Sequence, residues 1–151
     1  MDRAIEDLTK AISLDPKDTR APRVRGESYS KKGNLDLAIE DYTKAIELDP
    51  KDAASHIARG EAYGAQRDLD LAMEDYSKAI ELDPKDAHAY GTRGYAYWNK
   101  GEWDRAIEDY TKVIELDPKV AAPYTARGEA YEAKREWDCA IAHYDAPQPR
   151  T

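Results

Sequence analysis

The chain has 151 residues, a formal net charge of −8 and charged side chains at 36% of its positions. That acidic balance favours solubility and argues against a nucleic-acid partner, whose phosphates call for a basic footprint. No apolar run approaches the 18 residues of a membrane span, and the lone Cys139 excludes an intrachain disulfide.

In chain order, Ala4, Ile5, Leu8, Ala11 and Ile12 open the sequence with an apolar stripe at helical spacing. Met1 therefore starts a charged amphipathic helix rather than a signal peptide, and a cytoplasmic location is expected. Leu-Asp-Pro-Lys follows and recurs, with prolines at Pro16, Pro50, Pro84 and Pro118, 34 residues apart each time. A fixed period of this size marks a chain made by stacking one small unit.

The first half of each unit carries Arg25-Gly26 and Tyr29, then Arg59-Gly60 and Tyr63, Arg93-Gly94 and Tyr97, and Arg127-Gly128 and Tyr131. Glycine inside a helix costs about 1 kcal/mol relative to alanine, so its recurrence calls for a close approach by a neighbour. The small column Ala38, Ala72, Ala106 and Ala140 in the second half is the expected neighbour, with tyrosines filling the space on either side. In that second half, Leu35, Ala38, Ile39, Tyr42, Ala45 and Ile46 form one helical stripe. Glu40, Asp41, Lys44 and Glu47 are left for the solvent face.

The punctuation agrees with two helices per unit. Gly33 and Gly101 supply the left-handed residue that ends a first helix. Asp-Pro ends each second helix, because the residue before proline is pushed out of the α region. Asp18, Asp52 and Asp86 are placed to cap the next helix, and Val120 replaces that cap in the last unit at a cost of about 1 kcal/mol.

A 34-residue helix–turn–helix with Gly and Tyr in its first helix, Ala and Tyr in its second and a closing Pro resembles the tetratricopeptide repeat. The resemblance implies an all-α, right-handed superhelical solenoid of antiparallel helix pairs. It covers 1–151 as a single repeat domain: a partial unit 1–18, repeats 19–52, 53–86 and 87–120, a degenerate unit 121–146 and a tail 147–151. Arginine stands where the family's commoner pattern has leucine just before the glycine. Each of Arg25, Arg59 and Arg93 is expected to find a carboxylate, with Asp41, Asp75 and Asp109 as candidates, because a buried unpaired guanidinium costs several kcal/mol. His143 replaces the aspartate in the unit of Arg127.

The resemblance also implies a protein or peptide partner in a concave groove lined by the first helices. Carried onto this chain, the groove columns include Arg20, Arg23, Glu27, Ser30 and Lys31, then Ile57, Glu61 and Gly64. They continue with His88, Gly91, Tyr95, Trp98 and Asn99, and with Thr125, Glu129 and Glu132. The second helices from Leu35 and Leu69 are near copies, whereas the first helices share little beyond their packing columns. Tyr95 and Trp98 do not recur and are the expected anchors, since buried aromatics carry much of the energy of an interface. Some relatives grip a chaperone's C-terminal carboxylate through Lys, Asn and Arg. The matching positions here hold Arg23, Glu27, Ala58, His88 and Thr92, so that clamp is not expected.

No catalytic residue, cofactor or metal site is expected. His56, His88 and His143 lack ligand spacing, and His56 falls in a packing column with Pro22, Tyr90 and Tyr124. The carboxylate pairs repeat in phase, which suits a structural or solvated face. Cys139 shares a tolerant helix column with Arg3, Leu37, Leu71 and Arg105, and no His or Asn is placed to activate it. The alternative to a groove binder is a self-assembling piece, a homo-oligomer formed through its terminal helices. Its apolar strips would be that of the first helix and that of Trp137, Ile141 and Tyr144 near Pro147 and Pro149.

Overall fold

A computed structural model of the chain describes residues 2–134; Trp137, Cys139, Ile141, His143, Tyr144 and the tail lie outside the described residues. Within them are α1 (Asp2–Leu14), α2 (Arg20–Lys31), α3 (Leu35–Leu48), α4 (Ala53–Ala65), α5 (Leu69–Leu82), α6 (Ala87–Asn99), α7 (Trp103–Leu116) and α8 (Ala122–Ala133). The chain divides after Pro84 into two compact units. The first holds α1 to α5, and the second opens at Lys85 and holds α6 to α8.

Local signals end these helices where the sequence puts them. Asp52 accepts from the Ala54 amide at 3.2 Å and Asp86 from the His88 amide at 2.8 Å. Asp18 accepts from the Arg20 amide at 2.8 Å, although α2 begins one residue late, behind Thr19. In α8 the cap position is Ala121, with no side-chain bond. Gly33 and Gly101 take φ of 80° and 74°, and Arg67 takes φ of 66° in the same place. At all three ends the next amide reaches back to a helix carbonyl, for example Asp68 to Tyr63 at 2.9 Å, which closes the helix in a Schellman turn.

The first unit is built by consecutive packing of α1 on α2, α2 on α3, α3 on α4 and α4 on α5. Its core includes Ala38, Tyr42 and Ala62, with Tyr29, Leu35, Ile39 and Ala58 around them. The glycine column is explained by tyrosine rather than by alanine side chains. A Cβ on Gly60 would sit 2.7 Å from Cε1 of Tyr76 and 3.1 Å from the Ala72 carbonyl oxygen, and Gly26 faces Tyr42 in the same way. In the second unit Gly94 lies against the Tyr110 ring. The flat face of the second-helix tyrosine lies where a methyl group would be.

The arginine column is paired, as its burial requires. Arg59 donates from Nε and Nη2 to the two oxygens of Asp75, both at 2.8 Å. Arg25 grips Asp41 at 2.8 and 2.7 Å, and Arg93 grips Asp109 at 2.8 Å twice. Asp41 was expected on the solvent face with Glu40; instead it is only 5% exposed, and Asp75 and Asp109 are 4% exposed. The planar fork of arginine fits a carboxylate in two parallel bonds, which makes a buried site tolerable for both charges.

The same arginines also reach backwards. Nη1 of Arg25 donates to Thr9 at 2.9 Å, that of Arg59 to Thr43 at 3.1 Å, and that of Arg127 to Thr111 at 2.8 Å. One side chain thus ties its own second helix to the second helix before it. His56, buried beside Arg59, places Nδ1 3.1 Å from Asp75 Oδ1 and Nε2 3.4 Å from the Pro50 carbonyl oxygen. It is a helix-contact residue as expected. In the second unit the Tyr124 hydroxyl donates to the Pro118 carbonyl at 3.3 Å from the same place in the repeat.

These contacts set opposite outcomes for two substitutions eight residues apart or less. Gly60→Ala should lower stability by about 1–3 kcal/mol despite alanine's better helix propensity, because the methyl has no room. Arg67→Gly should raise it by up to about 1 kcal/mol by relieving the left-handed backbone. Urea denaturation of the two variants beside the parent chain measures both.

Candidate partner-binding face

The candidate face is that of the first helices, and the hydroxyls of the buried second-helix tyrosines Tyr42 and Tyr110 lie near its carboxylates. In the first unit Tyr42 is buried among charges supplied by α2 and α4. Burial pushes its phenol up to about 12, Glu27 and Glu61 push the same way, and Ser30 and Arg23 pull against them. Tyr76 is raised further, by burial first and then by Glu61 and Asp75. The carboxylates of α2 and α4 therefore converge on one short stretch of surface.

Arg23 is not a free cation on that stretch. Its Nη1 donates to Glu27 at 2.6 Å, one turn along α2, and its Nε lies 3.6 Å from Asp52. Arg20 is exposed, and Glu61 is exposed on α4. Ile57 is only 7% exposed and supports the face from below rather than lining it. The basic N-terminal end expected of this face thus reduces, on α2, to Arg20 and Lys31.

In the second unit the face is aromatic and acidic. Tyr95 is 62% exposed on α6. Its ring stacks on Trp98 with centroids 6.3 Å apart and planes 6° from parallel, and Trp98 meets Trp103 edge-on at 5.8 Å. Trp103 stands where Leu35 and Leu69 stand in the earlier repeats, so it was legible as a substitution but not as the floor beneath Trp98. The Trp98 indole nitrogen is buried and has no hydrogen-bond partner among the described residues. Trp98 is therefore a half-buried support, and Tyr95 is the ring that faces outward.

Tyr110 of α7 lies between α6 and α8. Burial pushes its phenol up to about 12, and Glu129 and Tyr95 add to the shift in that order. Glu129 is exposed on α8, one period after Tyr95. Asn99 turns its amide back to the Tyr95 carbonyl at 2.9 Å, which ties it to its own helix. His88 is exposed at the start of α6.

Among the described residues no group of His, Cys, Asp and Glu is arranged to hold a metal ion, and no helix is long and apolar enough to cross a membrane. Family models described as TPR repeat match residues 26–67 and 65–101, and others described as tetratricopeptide repeat match 87–120 and 1–18. The chain belongs to the tetratricopeptide repeat family.

Solved structures agree with that assignment. The crystal structure of MamA is 31% identical with a TM-score of 0.89, over 93% of this chain and 82% of that one. A second MamA, residues 41 to the end from Desulfovibrio magneticus RS-1, is 21% identical over 95% of this chain and 81% of that one, and at a TM-score of 0.88 shares the fold. The first TPR of Spaghetti (RPAP3), solved bound to the HSP90 peptide SRMEEVD, is 26% identical with a TM-score of 0.67. That match covers 87% of this chain and 97% of the other. A comparison with curated proteins found no match. The all-helical repeat fold and these relatives support a protein-interaction role for this tetratricopeptide repeat protein.

The buried tyrosines of the repeats set its behaviour in alkali. A phenol whose folded value is raised above the usual 10 contributes stability that is complete below pH 10 and is lost as pH rises through the folded value. Absorbance at 295 nm of the parent chain beside Tyr42→Phe and Tyr110→Phe variants follows these two phenols. Tyr42 and Tyr110 should ionise near pH 12, together with loss of helical circular dichroism. Ionisation of either near pH 10 with helicity intact would contradict this.

Proposed function

We infer that the protein is a non-catalytic scaffold that takes a peptide or helix of a partner protein on the faces of its first helices. The observation that carries this reading is Tyr95, an aromatic ring 62% exposed on a helix whose other aromatics, Tyr90, Tyr97 and Trp98, are at least partly buried. It is held flat on Trp98 and so is presented with little entropy left to lose. Arg20, Glu27 and Glu61 supply polar groups on the first-helix faces of the first unit, and His88, Asn99 and Glu129 on those of the second. Repeats that differ on their first helices while their second helices stay alike fit a surface varied for recognition on a fixed frame.

An acidic C-terminal tail is a poor fit. Arg23, the cation nearest to a carboxylate clamp, is occupied by Glu27 and Asp52. Glu27 and Glu61 both stand close enough to raise the Tyr42 phenol, and they would repel a second carboxylate.

Tyr95→Ala should weaken partner binding by about 2 kcal/mol, roughly thirtyfold, with unchanged helicity. Trp98→Ala should lower stability as well, because it removes the support between Tyr95 and Trp103. Isothermal titration and thermal melts of the two single variants separate the roles. Full affinity in Tyr95→Ala would show that α6 does not anchor the partner.

Self-association is favoured by a different observation. Helix α1 has no buried residue, whereas Ala38, Tyr42 and Ala45 at the matching positions of α3 are buried. Ala4 is exposed, and Ile5, Leu8 and Ile12 are partly covered. Light scattering across a concentration range tests this: an oligomer that Leu8→Glu dissolves supports contact through α1, and a monomer at every concentration rejects it.

A further inference from the structure

The α6 and α8 face of the second unit differs in charge from the first-unit face, and the difference bears on the chemistry of what binds there. Along the recognition columns of α6 and α8 stand His88, Tyr95, Trp98, Glu129 and Glu132, with no lysine or arginine among them. Glu129 is exposed and has no ion pair or hydrogen bond among the described residues. This contrasts with Glu27, its counterpart on α2, which is held by Arg23 at 2.6 Å. Glu129 and Tyr95 act on the same hydroxyl, that of Tyr110. A carboxylate without an ion pair and an exposed tyrosine, stacked on a half-buried tryptophan and one repeat period before that carboxylate, thus border one short surface.

We propose that this surface is a seat for a cationic side chain, an arginine or lysine of the docked peptide, placed over the Tyr95 ring with its charge against Glu129. The inference rests on the scaffold reading above and deepens it by naming the chemistry of the partner. A cation over the face of an aromatic ring is attracted by the ring quadrupole, and a planar guanidinium also stacks on it and forms paired bonds with a carboxylate. The stacking on Trp98 fixes the Tyr95 ring before the partner arrives, and Trp103 fixes Trp98. Charge complementarity across such a surface selects partners more than it adds affinity. The surface therefore discriminates against the acidic peptides that a carboxylate clamp takes.

The test is selection of a phage-displayed library of random dodecapeptides on the full chain. Selected peptides are then synthesised and titrated by fluorescence anisotropy against the parent, Tyr95→Leu and Glu129→Gln. The proposal expects enrichment of arginine and lysine, affinity about threefold lower in each variant, and weakening by salt in the parent that is reduced in Glu129→Gln. Neutral or acidic peptides whose binding falls in Tyr95→Leu would overturn the cationic seat while leaving the scaffold reading standing. Peptides indifferent to Tyr95→Leu, or no enrichment at all, would overturn both. Circular dichroism of each variant confirms that the helices are intact.

Discussion

A half-buried guanidinium gripping a buried aspartate constrains everything around it. Arg25 and Arg59 each sit beside a glycine, in bidentate contact with an aspartate of their own unit and one bond from a threonine on the helix before. Removing the aspartate from such a pair strands a charge at a cost of about 3–5 kcal/mol. Its register in the second helix therefore follows from the position of arginine in the first. The glycine next to it admits the tyrosine ring, and that ring carries its hydroxyl up between the carboxylates of the first helices. Packing, and the placing of first-helix carboxylates around the tyrosine hydroxyl, follow from one column of charge.

The arginines also lie against tyrosine rings. Arg59 lies 6.0 Å from the centroid of Tyr63, and Arg93 lies 5.8 and 5.7 Å from those of Tyr90 and Tyr97. For Arg59, aspartate, threonine and ring together satisfy the guanidinium, so that hydrogen bonding and burial reinforce each other. Asp75 goes further and holds both Arg59 and His56, a feature that sets the second repeat apart from the third, where Tyr90 takes the place of His56.

Period and punctuation made the helices legible in the sequence, and charge logic made the arginine pairs legible. Burial of Asp41 was harder to read, because a stripe argument assigns every charged residue to solvent and only the pairing argument places this one inside. The glycine neighbours were read in part: the backbone carbonyls of Ala38 and Ala72 do come close, 3.2 and 3.1 Å from a Cβ placed on Gly26 and Gly60, but the tyrosine rings come closer. Size matching suggested Ala38 and Ala72, yet the flat tyrosine ring reaches the glycine first and leaves the alanine carbonyl behind it. On the recognition face, the contrast of Tyr95 with Glu27, Glu61 and Glu129 was visible in the repeat alignment. That Trp98 lies half-buried on Trp103 and that Ile57 is covered were not, because both depend on how neighbouring helices stack.

Arg25 and Arg59 each draw a carboxylate from their own repeat and a hydroxyl from the helix just before. Within each compact unit a threonine of one second helix is a socket for the arginine of the next first helix: Thr9 and Thr43 accept Arg25 and Arg59, and Thr111 accepts Arg127. A repeat that carries all three groups, as those of Arg25 and Arg59 do, can be gained or lost as a whole 34-residue piece without orphaning a charge, because the new neighbours meet through the same groups. Changes of length in whole units are therefore cheap in free energy, whereas an insertion of a few residues inside a helix pair breaks the joint on both sides. Growth by duplication, with divergence confined to the first-helix faces, is the evolutionary course this joint favours.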